Sequence, residues 1–183
     1  PASGDWAVRF QGVGNASAVA LGSPMATIER EGVPWLTIDC GAEGLTAYLA
    51  RYGEAPRALF VTHVHLDHVA GFERLFVDRY FDPARRGRLR IYVPAPVVPL
   101  LHRRVGDYPN VLAEGGANFW DAFQLIPVGD AFWHEGQRLE VFPVRHHWPE
   151  TAYGLRLPGR DIALGQGDAH RHACLDALAR WAA

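Results

Sequence analysis

The sequence contains no lysine, only two cysteines and no long apolar run. All 18 basic residues are therefore arginines, which excludes chemistry that needs an amine, such as a Schiff base or the lysine of a phosphate-binding loop. Cys40 and Cys174 are too few for a disulfide framework, so we expect a reducing, cytoplasmic setting. No stretch reaches the roughly 18 apolar residues that span a bilayer. Residues 1–10 also lack the features of a secretory signal, so we expect no membrane association.

The length and composition predict one folded domain over residues 1–183. The chain has 183 residues, of which 49% are hydrophobic and 21% are charged, as in ordinary globular proteins. At roughly 100 to 200 residues per domain, there is room for one domain and one active site. The formal net charge of -2 argues against general nucleic-acid binding.

The pattern of apolar residues predicts an α/β protein. Its first and last parts are rich in short β-prone runs, and its middle alternates strands with helices. The predicted strands are 6–10, 16–21, 26–29, 35–39, 58–62, 89–94, 123–128 and 138–146, with a hairpin over 152–164. The predicted helices are 45–53, 68–81, 96–106 and about 169–181.

Histidine is the most informative residue of this sequence. Seven of the nine histidines fall in three short stretches, 63–68, 146–147 and 170–172. The segment THVHLDH follows the apolar run ALFV, so a rigid strand end would carry His63, His65, Asp67 and His68. Imidazole and carboxylate are ligands for zinc and similar first-row metals. A histidine-rich surface turn is the alternative, but four titratable groups beside a buried strand favour a metal site.

The HxHxDH motif after an apolar strand, together with the upstream segment TIDCG, resembles the metallo-β-lactamase superfamily of metal-dependent hydrolases. The resemblance runs from the glycine-rich start GVGNASAVALGS to LGQGDAH. It implies a four-layer αββα sandwich with a two-metal site at one edge of the sheets. The stretch from His146 to Arg156 is most similar to the ribonuclease Z and phosphodiesterase branch.

The resemblance also implies a set of metal ligands. His63, His65 and His146 would bind one metal, and Asp67, His68 and a bridging Asp168 would bind the second. Asp39 would hold the other ring nitrogen of a ligand histidine. Asp168 also suits the N-cap of the last predicted helix.

Two histidines compete for the third position of the first metal site. His146 and His147 are neighbours on a predicted strand and point to opposite faces, so only one can be a ligand. The family pattern, with Pro149, Tyr153 and Gly154 downstream, favours His146.

The second metal site departs from the family pattern. Family members continue past the last predicted helix into a strand that carries a final histidine, followed by a further helix, whereas this sequence stops at Ala183. The sandwich is therefore expected to lack that strand and helix, and the second site is expected to be weaker. His170 or His172 could substitute for the missing ligand, although solvated surface histidines at the start of a helix are the favoured interpretation. Chains could associate into a homo-oligomer through the uncovered apolar surface.

These features predict a metal-dependent hydrolase. One or two Zn²⁺ ions, or alternatively Mn²⁺ or Fe²⁺, would lower the pKa of a water molecule that attacks an ester-like centre. Asp67 is the candidate catalytic residue, which would orient that water or accept its proton. A phosphodiester of a small molecule or nucleotide is the leading substrate. Hydrolysis of a lactone, thioester or β-lactam, an iron-dependent oxygenase on the same fold, and a truncated domain without catalysis remain alternatives.

Overall fold

The computed structural model describes residues 5–106, 118–146, 151–160 and 162–165. These residues form two sheets that pack face to face, with helices on the outer face of the larger sheet. The α/β class expected from the apolar pattern is confirmed.

The larger sheet has six strands in sequence order. Strands β1, β2 and β3 are antiparallel, whereas β3, β4, β5 and β6 run parallel to one another. The carboxyl ends of these four parallel strands therefore lie at one edge. The strands are β1 (Trp6–Gly12), β2 (Met25–Arg30), β3 (Val33–Ile38), β4 (Ala58–Phe60), β5 (Leu89–Pro94) and β6 (Phe123–Val128).

The smaller sheet has four antiparallel strands in the order β10-β9-β8-β7. They are β7 (Ala131–His134), β8 (Gln137–Pro143), β9 (Tyr153–Leu157) and β10 (Ile162–Leu164). The β7–β8 hairpin turns at Glu135 and Gly136, whose φ angles of 46° and 78° match the paired left-handed residues of a tight hairpin turn.

Short helices connect the parallel strands. The α-helices are α1 (Ala42–Tyr52), α2 (Leu66–Val69), α3 (Phe72–Tyr80) and α4 (Val98–Leu101). Turns of 3-10 helix lie at Val19–Leu21, Ala95–Val97 and Phe119–Ala122, and a π-helical turn lies at His102–Gly106. Within the described ranges, no helix combines the length and apolar character needed to cross a membrane.

The hydrophobic core has two layers. One layer packs α1 and α3 against the larger sheet through Leu45, Phe72 and Phe76, among other residues. The other fills the space between the sheets and includes Phe60 and Leu139. Because β4 is buried in all its residues, both layers hold it rigidly.

Three predicted elements differ from the structure in type or continuity, and the predicted strand 138–146 is shorter: β8 ends at Pro143, so His146 lies beyond the strand. Residues 16–21, predicted as a strand, form a turn and a 3-10 helix instead, because the Asn15 side chain accepts hydrogen bonds from the backbone N–H groups of Ser17 and Ala18 and so competes with strand pairing. The predicted helix 68–81 is divided into α2 and α3. The predicted helix 96–106 consists of successive 3-10, α and π turns.

The break between α2 and α3 lies at Gly71, whose backbone N–H donates to the carbonyl of Cys40 over 2.9 Å. A Cβ atom on Gly71 would lie only 2.6 Å from the Cys40 sulfur, so the chain approaches Cys40 more closely than any larger residue allows. The predicted final helix, residues 169–181, lies outside the described residues.

Candidate metal centre

The topology places several polar residues of the predicted site at one edge of the larger sheet. Asp39 follows β3, and Thr62 and His63 follow β4 by two and three residues. Because β3 and β4 are parallel, their carboxyl ends bring these side chains together. The backbone N–H of Asp39 donates to the carbonyl of Phe60 over 2.8 Å, which joins the two strand ends directly.

The smaller sheet delivers His146 to the same edge. Its strand β8 ends at Pro143, and the N–H of Val144 donates to the carbonyl of Ala152. The N–H of Tyr153, at the start of β9, donates to the carbonyl of Thr62 over 3.0 Å. The end of the β8–β9 pair is therefore attached to the strand end that carries the HxHxDH motif.

Three histidine rings converge there. The Nε2 atom of His63 lies 3.1 Å from Nδ1 of His65, and Nε2 of His146 lies 3.2 Å from the same Nδ1. Nitrogen ligands at 2.0 to 2.1 Å from a tetrahedral zinc ion would be about 3.3 Å apart. The observed spacing fits a first-row metal held by these three residues. His63 is fully buried and His65 is exposed. The cluster is therefore closed on the side of His63 and open to solvent on the side of His65.

Asp39 organises a second group with His63 and His68. Its Oδ1 accepts from the Thr62 N–H over 2.8 Å, and its Oδ2 accepts from the Thr62 hydroxyl and from His68 Nδ1, both over 2.7 Å. Because both carboxylate oxygens already accept these bonds, Asp39 is better suited to orient ligands than to bind a metal itself.

The backbone of Asp39 is strained. Its φ of 60° is a left-handed conformation that costs a non-glycine residue about 1 kcal/mol or more. The three hydrogen bonds to its buried carboxylate hold it in that conformation.

His68 is the member of the motif closest to this carboxylate. Burial lowers the pKa of its imidazole, but the charge and hydrogen bond of Asp39, together with the charge of Asp67, outweigh burial and raise the pKa. With Nδ1 bonded to Asp39, Nε2 of His68 faces Asp67, whose Oδ2 is 3.8 Å away. His68 and Asp67 thus present one nitrogen and one carboxylate on the same side.

The structure brings together most of the residues predicted for the site. His63, His65 and His146 form one cluster, and His68 lies beside it, 4.1 Å from His63 between ring centroids. Asp39 contacts His68 as the resemblance implied. His147, Asp168, His170 and His172 lie outside the described residues.

Sequence reasoning missed Thr62. Its hydroxyl lies between Asp39 and His63, 2.7 Å from Oδ2 and 2.9 Å from Nδ1. The signal was available, because a hydroxyl residue that is buried beside a candidate ligand needs hydrogen-bond partners.

Comparison with solved structures shows the fold. The chain superposes on the metallo-β-lactamase fold protein YhfI from Bacillus subtilis with a TM-score of 0.63 and 17% identity, over 86% of this chain and 59% of that one. A diphosphatase of the PhnP family gives 0.61 and 17%, over 82% and 61%. Human tRNase Z, short form, gives 0.60 and 18%, over 87% and 68%. The protein therefore has the metallo-β-lactamase fold, as its motifs predicted.

Sequence comparison shows the family. The anti-Pycsar protein Apyc1 of Saccharibacillus brassicae is 34% identical over 164 residues, which are 82% of this chain and 62% of that protein. Ribonuclease Z of Deinococcus radiodurans is 25% identical over 181 residues, 79% of this chain and 53% of that protein. The chain thus spans about half to two thirds of the length of these relatives. Since the model of the family described as anti-Pycsar protein Apyc1 matches residues 6–180, the chain belongs to that family.

Proposed function

We propose that this protein is a metal-dependent hydrolase that cleaves phosphodiesters. The observation that carries the proposal is the convergence of three histidine nitrogens at the open edge of the sheet. Three nitrogen ligands with an open position are typical of catalytic rather than structural zinc sites.

The residues of the site would have separate roles in binding metal and in orienting water. His63, His65 and His146 would hold the first metal, and His68, Asp67 and Asp168 the second. Zn²⁺ or Mn²⁺ in this position would act as a Lewis acid on a phosphoryl oxygen and lower the pKa of water. Asp67 would orient the attacking water or accept its proton, since its carboxylate is partly exposed and lies beside His68.

The choice of phosphodiester rests on the relatives. Their names include two enzymes that act on phosphorus–oxygen bonds, ribonuclease Z and a diphosphatase. A phosphodiester is anionic and has a phosphoryl oxygen that a bound cation can stabilise.

The proposal can be tested with the purified 183-residue chain. Hydrolysis is measured on bis(p-nitrophenyl) phosphate, a cyclic mononucleotide and a short RNA, beside a lactone, a thioester and a β-lactam. We expect turnover of at least one phosphodiester, loss of that turnover after chelation, and recovery with Zn²⁺ or Mn²⁺. Turnover of another ester class alone, or full activity with metal confirmed absent, would contradict the proposal.

Single histidine variants separate metal ligands from other histidines. His65→Ala should lower both metal content and turnover, because it removes the nitrogen shared by both short contacts. His102→Ala is the matched control, since His102 is exposed and its ring accepts a hydrogen bond from Trp120. His146→Ala should lower metal content much more than His147→Ala, and the opposite ranking would show that His147 is the ligand.

A further inference from the structure

The Thr62 side chain connects Asp39, which contacts His68, to His63, which belongs to the three-histidine cluster. Its hydroxyl oxygen is 2.7 Å from Asp39 Oδ2 and 2.9 Å from His63 Nδ1. Thr62 is 3% exposed, and His63 is fully buried. Both hydrogen-bonded contacts of the Thr62 hydroxyl therefore lie away from solvent, where water is a poor substitute for either partner.

The direction of these hydrogen bonds follows from counting protons. A hydroxyl has one proton to donate, and a carboxylate can only accept. The Thr62 O–H therefore donates to Asp39, and the Thr62 oxygen accepts the proton on His63 Nδ1. His63 is then the tautomer whose Nε2 keeps its lone pair. That Nε2 is the atom 3.1 Å from His65 Nδ1, in the centre of the histidine cluster.

The same carboxylate acts directly on His68. Asp39 Oδ2 lies 2.7 Å from His68 Nδ1, so His68 also carries its proton on Nδ1 and keeps the Nε2 lone pair. Asp39 thus selects the tautomers of two histidines. It acts directly on His68 and through the Thr62 hydroxyl on His63.

We propose that Thr62 is a positioning residue that relays the charge of Asp39 to His63 and so directs the His63 Nε2 lone pair into the three-histidine cluster. The hydrogen bond at one ring nitrogen decides which nitrogen is free to bind a metal. The consequence for metal affinity rests on the function proposed above, but the hydrogen-bond relay does not.

The first test uses imidazole ¹⁵N chemical shifts of the full chain stripped of metal, at a pH where the histidines are neutral. In the wild-type protein His63 and His68 should both be protonated on Nδ1. A His63 protonated on Nε2 would overturn the proposal without any variant.

Two variants then isolate the hydroxyl. Thr62→Val removes the hydroxyl but keeps the branched shape and the backbone bonds from Thr62 to Asp39 and Tyr153. It should shift His63 towards the Nε2-protonated tautomer and leave His68 unchanged, whereas Thr62→Ser should restore the wild-type spectrum. Unchanged His63 shifts in Thr62→Val, or an equal change at His68, would refute the relay. If Thr62→Val does not fold, the wild-type spectrum still tests the proposal, because a His63 protonated on Nε2 would overturn it.

A second readout is metal affinity, measured by competition with a chromophoric chelator. Thr62→Val should bind the first Zn²⁺ about 10- to 100-fold more weakly, and Thr62→Ser should bind close to the wild-type value. Asp39→Asn should weaken Zn²⁺ binding at both proposed metal sites. Wild-type affinity in folded Thr62→Val would contradict the relay. Neither readout uses a substrate, so a protein with no phosphodiesterase activity could still support this proposal.

Discussion

Acidification should weaken the contact between the two sheets through His134. This residue lies on β7 of the smaller sheet and is only 2% exposed. Its Nε2 lies 2.9 Å from the carbonyl of Trp35 on β3, and its Nδ1 lies 3.0 Å from the hydroxyl of Tyr92 on β5. Since a carbonyl only accepts, Nε2 carries the proton and Nδ1 accepts from Tyr92. The neutral imidazole therefore satisfies both partners in the larger sheet.

The sign of the pH effect follows from the pKa of His134. Burial lowers that pKa, and the positive charge of Arg90 adds to the effect, while the Trp35 carbonyl and Glu135 only partly oppose it. Below about pH 6.5, His134 is therefore protonated in the unfolded chain more readily than in the folded protein. The stabilisation is complete above pH 6.5 and is lost as the pH falls towards the folded-state pKa, at a rate of at most about 1.4 kcal/mol per pH unit.

Urea unfolding between pH 8 and pH 5.5 measures this contribution. The free energy of unfolding of the wild type should fall towards that of His134→Gln as the pH decreases, because glutamine does not titrate. The raised pKa of His68 acts in the opposite sense, with stability lost as the pH rises, but it is common to both proteins and cancels in the difference. His102→Gln, at an exposed position, is the control. Parallel curves for wild type and His134→Gln would refute the reasoning.

Three further perturbations test the site and its support. Gly41→Ala should lower stability by about 1 to 3 kcal/mol and also lower metal content, because its Cβ would lie 2.3 Å from Ser23 Oγ and 2.5 Å from the Asp67 carbonyl oxygen. Gly129→Ala, where a Cβ meets nothing within 4 Å, should change neither quantity in the same unfolding and metal assays. Ser23→Ala should lower the free energy of unfolding in urea by about 1 kcal/mol, because Ser23 Oγ accepts from the N–H groups of Glu43 and Gly44 at the start of α1. An unchanged unfolding midpoint would contradict this capping role. Zn²⁺ titration should show one tight and one weaker site, since imidazole holds first-row metals more firmly than carboxylate does, and two equally tight sites would contradict that ranking.

Local patterns were sufficient to predict most strands and the position of the histidine motif. The run LRIYVP is β5 over the predicted bounds, and the hairpin after Ala152 forms β9 and β10. These elements are predictable because apolar runs and turn residues act over a few positions. The turn at Asn15 was missed because its side-chain hydrogen bonds compete with a β-prone composition.

Contacts between distant residues account for what local patterns could not predict. The resemblance indicated that Asp39 holds a ligand histidine, but not that Thr62 extends its influence to a second one. That arrangement depends on β3 and β4 being parallel neighbours whose ends are joined by the bond from Asp39 N–H to the Phe60 carbonyl. Sequence spacing alone does not specify this pairing.

The position of His146 shows how the two sheets together build the site. His65 and His146 are 81 residues apart in sequence, yet their ring nitrogens are 3.2 Å apart. The connection runs through the backbone, since Tyr153 N–H donates to the Thr62 carbonyl and Val144 N–H donates to the Ala152 carbonyl. Thr62 therefore anchors the incoming strand by its carbonyl and orients His63 by its hydroxyl. Because one residue serves both the assembly of the cluster and the tautomer of its buried histidine, loss of the hydroxyl alone should separate these two roles.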